Sequence, residues 1–150
     1  MKVFKRLFIG VSLFAIGALS IQTAEAKKIQ IQKNALPKTA IEFLDQNFSQ
    51  EPINFITEDK EWFDTDYSVL LNNMTEIEFD KNGNWTDVSN KTTAIPTDFI
   101  LPAIVSHVKT NFANAHILKI EKDNRQFEVK LSNSLELVFD NNGTFMRIDD

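Results

Sequence analysis

The sequence predicts an α+β fold in which one unit, a helix followed by a four-stranded antiparallel meander, occurs in tandem, with both helices on one face of the sheet. Two observations carry this. Tyr67–Val88 aligns without a gap on Phe127–Ile148, with Val69/Val129, Leu71/Leu131, Asn73/Asn133, Glu76/Glu136, Phe79/Phe139, Asp80/Asp140, Asn82/Asn142 and Gly83/Gly143 identical. Ahead of each aligned stretch, apolar residues recur at helical spacing; within it they alternate.

The N-terminus comes first. Lys2, Lys5 and Arg6 precede an apolar run, Leu7 to Leu19, and then Ala24-Glu25-Ala26. This is the three-part pattern of a secretory leader, over residues 1–26, with cleavage expected after Ala26. The run falls short of the roughly 20 residues that span a bilayer. The expected product is periplasmic or secreted, with no stable membrane insertion. Residues 27–35 read as a polar leader and are assigned no element.

The first unit covers 36–91. Leu36, Ala40, Leu44 and Phe48 follow one another at i+4 behind Pro37, which pre-sets helix entry. Ile53–Glu58 reads as a first strand. Tyr67, Val69 and Leu71 alternate with Ser68 and Leu70, the pattern of a half-buried antiparallel strand. Thr75–Phe79 continues it. Asp80-Lys81-Asn82-Gly83 closes a hairpin, with Gly83 at the left-handed bulge position.

The second unit, 92–150, repeats the order. Ile100, Ile104, Val108 and Phe112 form the helix stripe, and Pro102 places the helix start. Ile117–Glu121, Phe127–Leu131 and Leu135–Phe139 read as strands, and Asp140–Gly143 as the matching hairpin. Both units are expected to share one domain, since about 120 residues are too few for two large cores.

Composition narrows the chemistry. The chain has no cysteine and two histidines, so thiolate metal sites, disulfides and thiol catalysis are excluded. Losing Lys2, Lys5, Arg6 and Glu25 with the leader takes 16 basic and 21 acidic residues to 13 and 20, a net charge of −7. An acidic chain without a basic cluster disfavours nucleic acid and anionic lipid as partners.

Leu36-Pro37, Phe48, Trp62-Phe63-Asp64, Tyr67, Val69, Leu71, Phe79-Asp80, Asn82-Gly83 and Trp85 recur in part as Ile95-Pro96, Phe112, Phe127, Val129, Leu131, Phe139-Asp140 and Gly143. In this order the chain resembles the PepSY-like family, exported proteins often labelled β-lactamase-inhibitor-like, over essentially all of Leu36–Asp150. The resemblance implies a fold like the β-lactamase inhibitor protein, with no transferable activity. Two departures stand out. Asn73-Met74 and Asn133-Ser134 sit where Asn-Gly is common, and His107 sits where an aromatic is common.

The candidate constellations are weak. Asp80–Asn84 lacks the calcium-loop spacing and reads as a turn. His107 and His116 have no partners at catalytic or metal spacing. Glu76, Glu78 and Glu136 point away from the core by alternation and read as solvated charges. Trp62 and Phe63, at an insertion between strands, are candidate partner-binding aromatics, as are Trp85 and Phe145. For the last two the hairpin rule points inward and the alternation of Val88 and Ile148 points outward, so both orientations stay open. The expected function is an exported, non-enzymatic protein-binding module without a cofactor, favoured as a monomer, with a periplasmic or extracellular protein as partner. The alternatives are a small-ligand binder or enzyme, and a structural accessory protein of the envelope.

Overall fold

The computed structural model describes residues 27–61 and 64–149. The α+β class holds. One antiparallel sheet of nine strands runs in sequence order: β1 (Lys27–Ile31), β2 (Ile53–Lys60), β3 (Thr65–Leu71), β4 (Glu76–Phe79), β5 (Trp85–Ser89), β6 (Ile117–Lys122), β7 (Gln126–Leu131), β8 (Glu136–Asp140) and β9 (Phe145–Asp149). Helix α1 (Lys38–Asn47) lies between β1 and β2, and α2 (Pro102–Asn111) between β5 and β6. The leader, 1–26, lies outside the described residues.

The helix stripes form as their spacing requires. Leu36, Ala40, Leu44 and Phe48 are buried, as are Ile100, Ile104 and Val108. They share one core with the alternate residues Val69, Leu71, Ile77, Phe79, Val129 and Leu137 of the strands. Each fully buried aliphatic side chain stabilises by roughly 1.5–3 kcal/mol. Pro102 opens α2 at its first turn, where its missing N–H costs no hydrogen bond.

The hairpin glycines position the helices. Gly83 (φ 82°) and Gly143 (φ 80°) are left-handed. A Cβ on Gly83 would come within 2.7 Å of Pro37 Cβ and 2.8 Å of the Ala40 backbone nitrogen. The hairpin tip therefore abuts the start of α1, and only glycine allows both the φ and the approach.

The reading of 27–35 needs correction. Lys27–Ile31 is a strand, paired with β2 through Ile31↔Ile56 and Ile29↔Glu58, and Lys33–Ala35 is one 3₁₀ turn. Lys28-Ile29-Gln30-Ile31 does alternate, but with only two apolar residues in a five-residue edge strand the signal is short and weak.

Candidate functional site

Antiparallel pairing sorts the strand residues into two faces. On the helix side the cross-strand row is Val69, Ile77, Val88, Ile120, Val129 and Leu137. On the other side, one row runs Ser68, Glu78, Asp87, Glu121, Glu128 and Val138. The adjacent row runs Leu70, Glu76, Ser89, Lys119, Lys130 and Glu136. Both helices pack on the first face, so the second is the helix-free face among the described residues.

At its centre the second face is acidic and crowded. Lys119 Nζ lies 2.8 Å from an Asp87 oxygen and 3.0 Å from a Glu121 oxygen. Asp87 is only 4% exposed. Burial pushes its carboxyl up; the hydrogen bond and charge of Lys119 pull the other way and lose. Glu78 is pushed to about 7, by burial first and then by the charges of Asp87 and Glu76. Lys119 is raised above the ordinary lysine range because Asp87 and Glu121 together outweigh its own burial. One ammonium thus serves a cluster of carboxylates that repel one another. Toward β2 on the same face, Thr57 Oγ1 and Asp59 Oδ1 are buried without a hydrogen-bond partner among the described residues.

Sequence foresaw the outward direction of Glu76, Glu78 and Glu136. It missed Asp87, Lys119 and Glu121, which join the site only through the β5–β6 pairing. Their signal was the alternation phase set by Val88 and Ile120.

The proposed aromatics fall differently. Trp62 and Phe63 lie outside the described residues. Trp85 and Phe145 do not stand on the open face. Trp85 pairs with Phe79 and Val88 with Ile77, because Thr86 is an extra residue at a bulge. Both Trp85 and Val88 therefore turn to the helix side, and the two conflicting rules are both satisfied. Trp85 is half-buried against Phe43, Phe99 and Phe127, with Lys122 Nζ 4.1 Å from its ring centroid. Phe145 pairs with Phe139 past the bulged Met146, and stacks on His107 at 4.5 Å.

The remaining candidates have structural roles. His107 fills an aromatic position, edge-on to Phe139 at 5.4 Å. His116 is exposed. Asp80 Oδ1 accepts the N–H groups of Asn82 and Asn84, each at 2.9 Å. Burial raises that carboxyl, but these bonds and the Asn84 amide win and hold it low. Asp140 accepts Asn142 and Thr144 in the same way. These bonds shape the two hairpins. Among the described residues no three His, Cys, Asp or Glu side chains are placed to hold a metal, and no helix is long and apolar enough to cross a membrane.

A family model described as "Putative beta-lactamase-inhibitor-like, PepSY-like" matches residues 22–69 and 65–147. The chain belongs to the PepSY-like family. No curated protein matches it. Three similar crystal structures cover this PepSY-like fold. One, from Bacteroides thetaiotaomicron, is described as a "putative calcium-regulated periplasmic protein"; it is 37% identical, with TM-score 0.79, over 82% of this chain and 97% of that one. A second, from Bacteroides vulgatus and described as a "putative periplasmic protein", is 39% identical, with TM-score 0.77, over 82% of this chain and 97% of that one. A third, also from Bacteroides vulgatus and of unknown function, is 32% identical, with TM-score 0.77, over 83% of this chain and all of that one. The structural relatives are thus described as periplasmic proteins, in keeping with the expected compartment.

Proposed function

We propose that this PepSY-like chain is an exported, non-enzymatic protein-binding module whose helix-free sheet face receives a cationic patch on a protein partner. One observation carries the reading. Glu76, Glu78, Asp87 and Glu121 converge around Lys119 on a face that no helix among the described residues covers, and the ionisation of Glu78 and Asp87 is held back. Cations from a partner would relieve that repulsion, which makes the face complementary to lysine and arginine and selective against acidic surfaces. The inhibitor-like description of the family supports protein binding as the class of activity, by analogy of fold alone.

The layout that goes with this reading is a leader over 1–26 and one domain made of two sibling units, which the aligned helices, hairpins and bulges support. Trp62-Phe63, between β2 and β3 in sequence, are proposed as a further aromatic anchor for the partner. Trp85 and Phe145 serve packing instead.

The test is site-specific photo-crosslinking in envelope extract of Bacteroides. A probe at Ser68 or Glu76 on the open face is expected to capture a partner that a probe at Ser106, exposed on α2, does not. Glu76→Lys with Glu121→Lys should weaken that capture by about tenfold or more, since like charges across an interface are strongly disfavoured. Capture from the α2 probe alone, or capture indifferent to the charge reversals, would overturn the reading.

A further inference from the structure

We propose that β9 is a self-pairing strand: two copies of the chain join through antiparallel β9–β9 contact about a two-fold axis at Ile148, merging their sheets into one.

The argument starts inside a single chain. By alignment β9 is the counterpart of β5, and the pairing agrees. Phe145 faces Phe139 and Ile148 faces Leu137, as Trp85 faces Phe79 and Val88 faces Ile77, with one extra residue at the same place. What differs is the far side. β5 is followed by β6, in register Val88↔Ile120, whereas among the described residues β9 is the last strand of the sheet. Val88 is 0% exposed and Ile148 is 44% exposed. The bulged Met146 is exposed as well.

Backbone direction follows from the same template. The Asn90 N–H donates to the Leu118 carbonyl at 2.8 Å, across the β5–β6 seam. Peptide groups alternate in direction along a strand, so those of Val88, two residues back, also turn to β6. The aligned groups of Ile148 therefore turn to the open edge, ready for a strand whose central residue sits opposite.

The side chains say which strand fits. The segment that β5 accepts reads Lys119-Ile120-Glu121, and β9 itself reads Arg147-Ile148-Asp149. Both are cation, isoleucine, acid. Within one chain Arg147 already holds Asp149 in a two-pronged ion pair at 2.7 and 3.0 Å. Laid antiparallel on itself about Ile148, β9 brings Asp149 of the second copy opposite Arg147, twice, on the helix-free side, which joins the two internal pairs into one network of four alternating charges. The two isoleucines meet on the helix side. This is better matched than the internal template, where Glu121 faces Asp87. A two-fold contact needs a self-complementary patch, and a cation–apolar–acid strand is one.

Chain direction disfavours the rival arrangement. β1 and β9 run the same way in an antiparallel sheet of nine strands. Joining β9 to β1 of another copy, with helices on one side, would need a parallel pair and would grow without closing. The two-fold contact keeps the antiparallel rhythm and closes at two copies. It replaces the monomer expected from sequence. It does not depend on the open-face reading, because the axis runs through the sheet and leaves both helix-free faces uncovered on one side.

So short a seam makes a weak dimer, with dissociation expected at about 10–500 μM. Sedimentation velocity on the mature chain from about 10 μM to about 1 mM is expected to show a reversible monomer–dimer equilibrium over that range. Arg147→Asp alone, or Asp149→Arg alone, sets like charges opposite one another twice and should weaken the dimer by about tenfold or more. The double swap Arg147→Asp/Asp149→Arg restores complementarity and should recover affinity to within about threefold. Ile148→Ala, which keeps both charges, should weaken it too. Circular dichroism checks that each variant, changed only at exposed edge positions, is folded. A chain that stays monomeric throughout, species larger than the dimer, or a dimer indifferent to Arg147→Asp would overturn the proposal.

Discussion

Trp85 and Phe145 follow aligned glycines, face aligned phenylalanines and sit beside aligned bulges, yet their surroundings differ. Both are half-buried, but Trp85 packs against Phe43 from α1, Phe99 from the connection, and Phe127 and Lys122 beyond α2. Phe145 has His107 and Phe139, and β9 is the edge strand among the described residues. Aligned strands thus differ, with Val88 of β5 in the core at 0% exposed and Ile148 of β9 at the boundary at 44%. Position in the array decides burial as strongly as local sequence does, and α1 and α2 inherit the difference through their hairpins.

The largest test of this contrast uses the two glycines. Gly83→Ala forces a left-handed alanine and drives its Cβ into Pro37 and into the backbone of Ala40, which cannot rotate away. A loss of about 3 kcal/mol is expected from the two effects together. At Gly143 the nearest atom is Ala103 Cβ at 3.1 Å, a contact that small adjustments relieve. Gly143→Ala should cost about 1–2 kcal/mol, close to the backbone penalty alone. Urea unfolding of both variants reads the difference, and equal losses would show the two hairpin–helix contacts to be equally tight.

A smaller effect distinguishes the open faces. Glu78 and Val138 are aligned positions on the helix-free side, and Val138 is 1% exposed. Ser68, Asp87, Glu76, Lys119 and Glu121 surround Glu78 from β3 to β6, and acids outnumber the one cation. Its folded value of about 7 lies above the ordinary 4.5, so between those values the folded chain binds more protons than the unfolded one. Stability therefore falls as pH rises through that window; the contribution is present below about 4.5 and gone above about 7. After allowing for solvent screening, about 1–2 kcal/mol is at stake. Glu78→Val, copying the second half, should remove that part of the pH dependence and stabilise the chain by a similar amount at pH 8. Parallel wild-type and variant curves from pH 4 to 8 would mean that burial and the neighbouring carboxylates do not hold the Glu78 proton.

What sequence could and could not reveal follows from the range of each interaction. The stripes of Ala40, Leu44, Ile104 and Val108 were legible because helical periodicity is local, and so were the Asp80 and Asp140 hairpins. The orientation of Trp85 was not: the hairpin rule and strand alternation gave opposite answers, and one inserted residue, Thr86, satisfies both. The acidic site was half legible. Alternation points Glu76 and Glu78 outward, but bringing Lys119 and Glu121 beside Asp87 requires pairing two strands separated by the whole of α2. β1 was missed because it is a short edge strand with two apolar residues, Ile29 and Ile31, held by its pairing with β2 rather than by a buried face of its own.

The smallest effect concerns a feature in which the two halves should agree. Met74 (φ 67°) and Ser134 (φ 71°) are left-handed without being glycine. Each closes a turn with its N–H on a leucine carbonyl at 3.0 Å, Leu71 in one case and Leu131 in the other. The preceding asparagine side chain accepts from the residue beyond, Asn73 from Thr75 and Asn133 from Leu135. Both side chains are exposed, so neither is held in this conformation by packing. Met74→Gly and Ser134→Gly remove the left-handed penalty of about 1–2 kcal/mol and add back an unfolded-state entropy cost of about 0.5–1. Each should stabilise by about 0.5–1 kcal/mol, and by the same amount, because these turns lie at the ends of interior strands in both halves. Thermal or urea unfolding of the two variants checks it. A clear gain in one half only would mean that the difference between core and boundary reaches beyond β5 and β9 into the turns themselves.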